Sequence, residues 1–417
     1  MSRLLSDTFD EWADEVRVPH DLADRALRGR RSRWLPLGAA LLVGAMIAAV
    51  ALFVAVRQQP DVRPAQGVEL PVRPSPAPTD VRTDTENVPP ARLITAGNLA
   101  VSAYYETTRE NIEDGTQDGM VRERRTWSVY DPASGGYVRT PYAWVDVAPG
   151  LQVAAVIDGD LMGNRVGVLD LNTRSILAWY ELDHDVAAVA WSPDGTKILA
   201  TAYSAYPDVF EPEKGQPGRL KPQTRSPRTG YYVIDVPAGT YEYRELAPLP
   251  ASGQSTITRP RTAGRTYLAP PEANARQDLY WSLDGELIWT STISRGDRVW
   301  YTIDGREADA PEGQRYVSRS RHSALSPDGR LLLGPDGLPT KITDVETGKV
   351  AGRQRVLRLL AWADDDHVIA LGCAGRCENE FDNGLVLVSV DGSEVTRLAA
   401  YTDNQQSRPW EWVLTPR

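Results

Sequence analysis

Trp191-Ser-Pro-Asp-Gly195 returns as Trp281-Ser-Leu-Asp-Gly285 and again as Leu325-Ser-Pro-Asp-Gly329. Pro fixes φ and Gly tolerates positive φ, so each phrase is a tight turn. A short apolar stretch follows each one: Lys197-Ile-Leu-Ala200, Leu287-Ile-Trp-Thr290 and Arg330-Leu-Leu-Leu333. The phrase is therefore the tip of a β-hairpin. Trp362-Ala-Asp-Asp-Asp366 is a worn copy, and Val147-Ala-Pro-Gly150 is a more distant one.

Working outward from the turns, a third strand ends in Asp in each unit. Examples are Val166-Gly-Val-Leu-Asp170, Tyr231-Tyr-Val-Ile-Asp235 and Lys341-Ile-Thr-Asp344. A fourth follows after a Gly- or Asn-bearing turn, as in Thr240-Tyr-Glu-Tyr-Arg244 and Glu394-Val-Thr-Arg-Leu398. Four short strands returning at about 40–50 residues is the pattern of a β-propeller blade. The units begin near residues 93, 143, 186, 277, 318 and 356. The expected fold is all-β with six blades, or seven if residues 247–276 hold a degenerate one. Trp410-Glu-Trp-Val-Leu-Thr415 is a strand without a unit, and the first unit lacks an inner strand. Pairing the two closes the ring and removes an open edge.

The first 92 residues differ in kind. Trp34–Val56 reads WLPLGAALLVGAMIAAVALFVAV, without a charge, and about 20 such residues cross a bilayer as a helix. No A-x-A cleavage site follows before Arg57, so the segment reads as an uncleaved anchor. Arg25, Arg28, Arg30, Arg31 and Arg33 crowd its N-terminal flank, against Arg57 and Arg63 beyond it. Positive charge stays inside, which places residues 1–33 in the cytoplasm and the C-terminal domain outside. The expected organisation is a cytoplasmic head (1–33), a transmembrane helix (34–56), a Pro-rich stalk (57–92) and a propeller (93–417). In the head, Leu5, Phe9, Trp12 and Val16 share one helical face. They form a candidate surface for a cytoplasmic partner, the alternative being a topogenic tail.

Composition narrows the function. The formal charge of −10 excludes a nucleic-acid partner on electrostatic grounds. No G-x-S-x-G elbow and no H-E-x-x-H occurs, and the four histidines (His20, His184, His322, His367) are scattered. No catalytic residue, metal site or cofactor is assigned. The acidic loop Glu106–Asp118, with Glu110, Glu113 and Asp114, lacks the ligand register of an EF-hand. The insertion Ser204–Gly230 is basic by contrast, carrying Lys214, Arg219, Lys221, Arg225 and Arg228. Loops carry function, so these two segments are the candidate binding residues. Trp191, Trp281 and Trp362 share one repeat position and read as core wedges between blades. Cys373 and Cys377 are the only cysteines, and a disulfide is expected outside the cell.

The strand–Trp-Ser-Pro-Asp-Gly–strand unit followed by an apolar strand ending in Asp resembles the TolB-type and WD40-like propeller repeat. The layout is similar to membrane-anchored WD40-like propellers of actinobacteria, some encoded near extracytoplasmic-function sigma factors. That resemblance implies a protein that binds or scaffolds. The expected function is a non-catalytic extracytoplasmic sensor or scaffold for a peptide, glycan or protein. Two alternatives are a hydrolase with its site in the central channel, and a regulator of such a sigma factor acting through the head.

Overall fold

The computed structural model describes residues 67–71, 79–112, 119–213, 215, 218–223, 225–249, 276–291, 298–311, 321–373, 382–403 and 410–417, together with the short strands 63–64, 256–258 and 266–268. All regular structure among them is β. No helix among them is long and apolar enough to cross a membrane. The predicted anchor Trp34–Val56 and the head face Leu5, Phe9, Trp12 and Val16 lie outside the described residues.

Consecutive strands pair antiparallel, as period-two patterns joined by tight turns require. Trp144–Val147, Val153–Ile157, Gly163–Asp170 and the first half of Ile176–Trp191 form one meander. Ile176–Trp191 is 16 residues long and serves two meanders. Its first half pairs with Gly163–Asp170, and its second half pairs with Lys197–Tyr203. Lys197–Tyr203 then leads to Arg228–Asp235 and Thr240–Glu245. Further meanders are Tyr280–Trp281, Leu287–Ser291, Arg298–Thr302 and Glu307–Ala308, then Leu331–Leu333, Thr340–Asp344 and Val350–Gln354. Val356–Trp362, His367–Gly372, Asp382–Ser389 and Val395–Arg397 complete the series. This serial meander is the connectivity of a β-propeller.

The ring closes as the orphan strand requires. Glu411–Pro416 pairs with Leu99–Asn111, which continues through Val121–Asp131 to Gly136–Arg139. The last strand of the chain is thus the missing inner strand of the first meander. Arg417 seals the seam by donating to Asp80 (2.8 Å) and to the Gly97 carbonyl.

The repeated turns share one hydrogen-bond scheme. Ser192 Oγ donates to Asp194 (2.5 Å) and accepts from the Lys197 N–H (2.9 Å). Ser282 and Ser326 repeat both bonds. Ser389-Val-Asp-Gly392 uses the same scheme, although the sequence shows it only as a strand ending in Asp. The Gly of each turn has positive φ, for example 72° at Gly195 and 76° at Gly285. The wedge reading of the tryptophans holds, since Trp191, Trp281 and Trp362 are all buried. Trp281 Nε1 donates to the Ala190 carbonyl, and Trp362 Nε1 to the Ala324 carbonyl, each at 3.0 Å. The first bond ties the inner strand of the fourth meander to that of the third, and the second ties the inner strand of the sixth to the segment that bridges Leu332 in the fifth.

The Pro-rich segment is less free than its composition implies. Val68 is buried, its N–H bonded to the Val236 carbonyl (3.1 Å). Asp84 is fully buried and accepts from the N–H groups of Ala91 (2.7 Å) and Arg92 (2.9 Å). Its backbone bridges Ala399 of the last meander, while Arg92 bridges Gly136 of the first. Prolines lower the entropy lost when such a segment is ordered, so few bonds suffice to hold it on the domain. Residues 79–92 therefore clasp the closure seam from outside.

Removing residues 410–417 should expose the edge of Leu99–Asn111 and abolish cooperative unfolding, with aggregation in its place. Urea denaturation followed by tryptophan fluorescence checks this. A truncated chain that unfolds like the intact one would show that the seam does not hold the fold.

Candidate functional site

The inner strands converge on a cavity of about 490 Å³. Its lining includes Glu411 and Trp412 from the closing strand, Trp144 from the second meander and Tyr280 with Asp278 from the fourth. Arg321 with His322, and Arg358 with Leu360, come from the two meanders that follow. A cavity that so many inner strands line is the mouth of the central channel.

The basic insertion reaches this mouth in an unexpected way. Its strand Val209–Pro212 pairs with Leu220–Pro222 on one side and with Arg122 and Val121 of the first meander on the other. The insertion is thus a strap from the third meander to the first. Asp208 pins it. The Asp208 carboxylate, nearly buried, takes a two-pronged bond from Arg276 (2.8 and 2.6 Å) and a second cation from Arg125 (2.5 Å). Arg276 also reaches Asp278 (3.0 Å) and the Ala187 carbonyl (3.1 Å). Tyr203 donates to Asp278 (2.8 Å) and accepts from the Gln277 N–H (3.0 Å). Beside this cluster Arg321 pairs with Asp146 (2.7 Å), whose other oxygen accepts the Trp191 N–H (2.8 Å). The cations lie on aromatic faces: Arg276 on Trp144 (4.5 Å), Arg125 on Trp144 (5.2 Å) and Arg321 on Tyr280 (4.6 Å).

These surroundings set the charges. Burial opposes the Asp208 charge, but Arg276 and Arg125 together overcome it and hold the carboxyl well below the usual range. At Asp146 burial wins, and the carboxyl lies above its usual value despite Arg321. Burial, reinforced by the Arg321 charge, pushes His322 down to about 4, so it is neutral at pH 7. Burial and then Asp278 push Tyr280 up to about 12. Every carboxylate at the mouth has a partner, Glu411 accepting from Tyr105 (2.8 Å). A glycosidase or a nucleophile–base site requires a carboxylate or histidine poised toward substrate. At the mouth Asp278 is held by Arg276 and Tyr203, Glu411 accepts from Tyr105, and His322 is buried and neutral. What the mouth offers a ligand is aromatic surface and guanidinium edges, with Arg321 and Arg358 each about a third exposed.

The residues singled out from sequence do not assemble into one site. Arg219 pairs with Glu213 (3.0 Å) and Lys221 with Glu211 (2.9 Å), both within the strap hairpin. Arg225 is exposed. Arg228 departs from its expected place in a surface loop: it is buried at 2% exposure, donating to the carbonyls of Ala247 (2.6 Å) and Gln277 (3.3 Å). The reason is that Arg228 already belongs to the strand Arg228–Asp235, which pairs with Lys197–Tyr203 inside the third meander. Glu110 pairs with Arg122 (3.1 Å), the residue whose backbone faces Val209 of the strap. Lys214, Glu113 and Asp114 lie outside the described residues. Cys373 is buried after the strand His367–Gly372, and no described cysteine is free. Cys377 lies outside the described residues. Sequence reading missed Asp208, Arg125, Arg276 and Arg321. One available signal was a charged residue three or four places before the repeat Trp position: Asp278 before Trp281, Arg321 before Leu325 and Arg358 before Trp362.

Asp208→Asn should destabilise the domain by about 3–5 kcal/mol, because two buried guanidiniums lose their shared counter-ion. The wild-type carboxyl has a depressed folded pKa, so its contribution is present above the unfolded value of about 3.9 and lost as pH falls below it. The variant should therefore lose stability at pH 7 and show a shallower decline under acid than the wild type. Urea titrations at pH 7 and pH 3 test both parts, and equal stability at pH 7 would refute the hub.

Compared with known proteins, the chain matches no family profile and no curated relative. Solved structures with similar folds share little sequence. TolB from Acinetobacter baumannii is 16% identical with a TM-score of 0.32, over 75% of this chain and 66% of that one. Hydrazine synthase from Kuenenia stuttgartiensis is 13% identical with a TM-score of 0.31, over 62% of this chain and 65% of that one. The match thus spans just under two thirds of either chain. The Cps50 (Swd1) β-propeller domain from Myceliophteria thermophila is 12% identical with a TM-score of 0.35, over 75% of this chain and 89% of that domain.

Proposed function

We propose that the chain is a single-pass membrane protein whose six-bladed β-propeller, held outside the cytoplasm by residues 34–56, binds a protein partner at its channel mouth without catalysis. One observation carries the reading. The mouth presents Arg321, Arg358 and Trp412 from separate meanders, backed by the buried Trp144, while its carboxylates are bound internally. Aromatic and arginine side chains supply most hot-spot energy in protein interfaces. A partner segment bearing carboxylates would meet the exposed part of each guanidinium there, Arg321 being already paired with Asp146 (2.7 Å) and Arg358 with Asp336 (2.9 Å). Six blades match the six serial meanders of the described residues, the pair Thr256–Thr258 and Thr266–Leu268 lying between the third and the fourth.

Membrane anchorage rests on the uncharged 23-residue run and its arginine collar. The buried, non-free Cys373 supports a Cys373–Cys377 bridge, which suits an oxidising compartment. A thiol reagent should then reach the pair only after reduction.

The test is crosslinking on intact protoplasts, comparing wild type with Arg358→Ala and Trp412→Ala. Partner capture should fall about tenfold or more in both variants, and protease added outside should remove the propeller. Undiminished capture by Arg358→Ala would place the binding surface elsewhere. A fully protected propeller would reverse the orientation.

A further inference from the structure

A second cavity, of about 460 Å³, lies on the first meander and shares only Arg125 with the lining of the mouth. It owes its form to two overlong strands. Leu99–Asn111 and Val121–Asp131 have 13 and 11 residues and run on past the sheet as a paired arm. Their register sets Thr108 opposite Arg124 and Glu110 opposite Arg122. Alternation puts these four on one face, together with Thr126, and all five line the cavity. The opposite wall brings Arg139, Thr140 and Tyr142, and the turn 159–161 closes one end.

Charge in this pocket differs from the domain average. Arg122, Arg124 and Arg139 face two acids, Glu110 and Asp160, whereas the whole chain carries a formal −10. Glu110 holds Arg122 at 3.1 Å and Arg124 at 3.7 Å, and Asp160 takes Arg124 as well. Arg139 is exposed and has no ion pair among the described residues. The three guanidiniums are solvent-accessible forks matched to carboxylate or phosphate geometry. Threonine hydroxyls stand between them, and the Tyr142 ring offers a flat face. On its Val121–Asp131 side the arm is already paired, with Val209–Pro212 at one end and Gly136–Arg139 at the other.

We propose that this pocket binds a polyhydroxylated anion, a saccharide or polyol bearing carboxylate or phosphate groups. Glu110 stands in for the ligand anion in the empty pocket and is displaced from Arg122 and Arg124 when the ligand enters. The hydroxyls of Thr108 and Thr126 bond the ligand's hydroxyls, and Tyr142 packs against its C–H face. A cavity of this volume accommodates a ligand of disaccharide size.

The probes are a hexuronate tetrasaccharide, a glycerol-phosphate oligomer, a neutral tetrasaccharide and pentaglutamate, titrated calorimetrically against the full chain in detergent. At least one of the two anionic polyols should bind, more weakly at higher salt, and which one binds identifies carboxylate or phosphate as the recognised group. Arg139→Ala and Arg122→Ala should weaken that binding about tenfold or more. Glu110→Gln should tighten it severalfold, because the competing carboxylate is gone. All three positions are solvent-accessible, and an unchanged melting temperature confirms that each variant folds. Absence of binding, equal binding of the neutral sugar, stronger binding of pentaglutamate, or weakening by Glu110→Gln would each overturn the proposal. Because the mouth variants Arg358→Ala and Trp412→Ala leave this pocket intact, they should bind the anion as wild type does. Loss of anion binding in those variants would also overturn it.

Discussion

Asp208 is where the channel mouth is held together. It sits on the strap from the third meander, and its carboxylate is shared by Arg125 of the first meander and Arg276 at the approach to the fourth. Arg276 then reaches back to Ala187 of the third. No hydrophobic contact could impose this geometry, because apolar packing is non-directional whereas the guanidinium fork fixes both distance and angle. Removing a charge from water costs several kcal/mol per ion, so such a cluster persists only when every charge is answered. It is answered here: Arg125 and Arg276 against Asp208 and Asp278, and Arg321 against Asp146.

Around that hub the ring depends on simpler repeats. The third to sixth meanders each bend away from the channel at a Ser-x-Asp-Gly turn, or at its worn copy, whose hydroxyl or carboxylate satisfies backbone N–H groups that the bend would otherwise orphan. Each wedge tryptophan fills a junction with a large apolar ring, and Trp281 and Trp362 spend their polar atom on the neighbouring meander. The first and last meanders cannot use that device alone, being joined by a strand from the far end of the chain. They add the Arg417–Asp80 pair and the clasp of buried Asp84. A seam built from both chain ends accounts for why residues 79–92, Pro-rich and apparently linker-like, pack on the domain.

The regular part of this architecture was legible in the sequence. Turn phrases, strand periodicity and the unpaired Trp410–Thr415 segment gave the meanders and their closure, because local chemistry dictates those features. The site was much less legible. Arg276 and Asp208 are separated by 68 positions, and neither belongs to a motif, so only the fold brings them together. The basic insertion misled for a related reason. Net charge identified a segment that differs from its surroundings, but it could not show that Arg219 and Lys221 would pair with acids of their own hairpin. Nor could it show that Arg228 would be buried at the start of a strand.

The coupling between Asp208 and Arg276 tests this account most directly. A double-mutant cycle with Asp208→Asn, Arg276→Gln and the pair, measured by urea denaturation at pH 7, isolates that interaction from the rest of the mouth. A hub that orders the strap and the inner strands together predicts a coupling of about 2 kcal/mol or more. A coupling near zero, with the two substitutions additive, would contradict it.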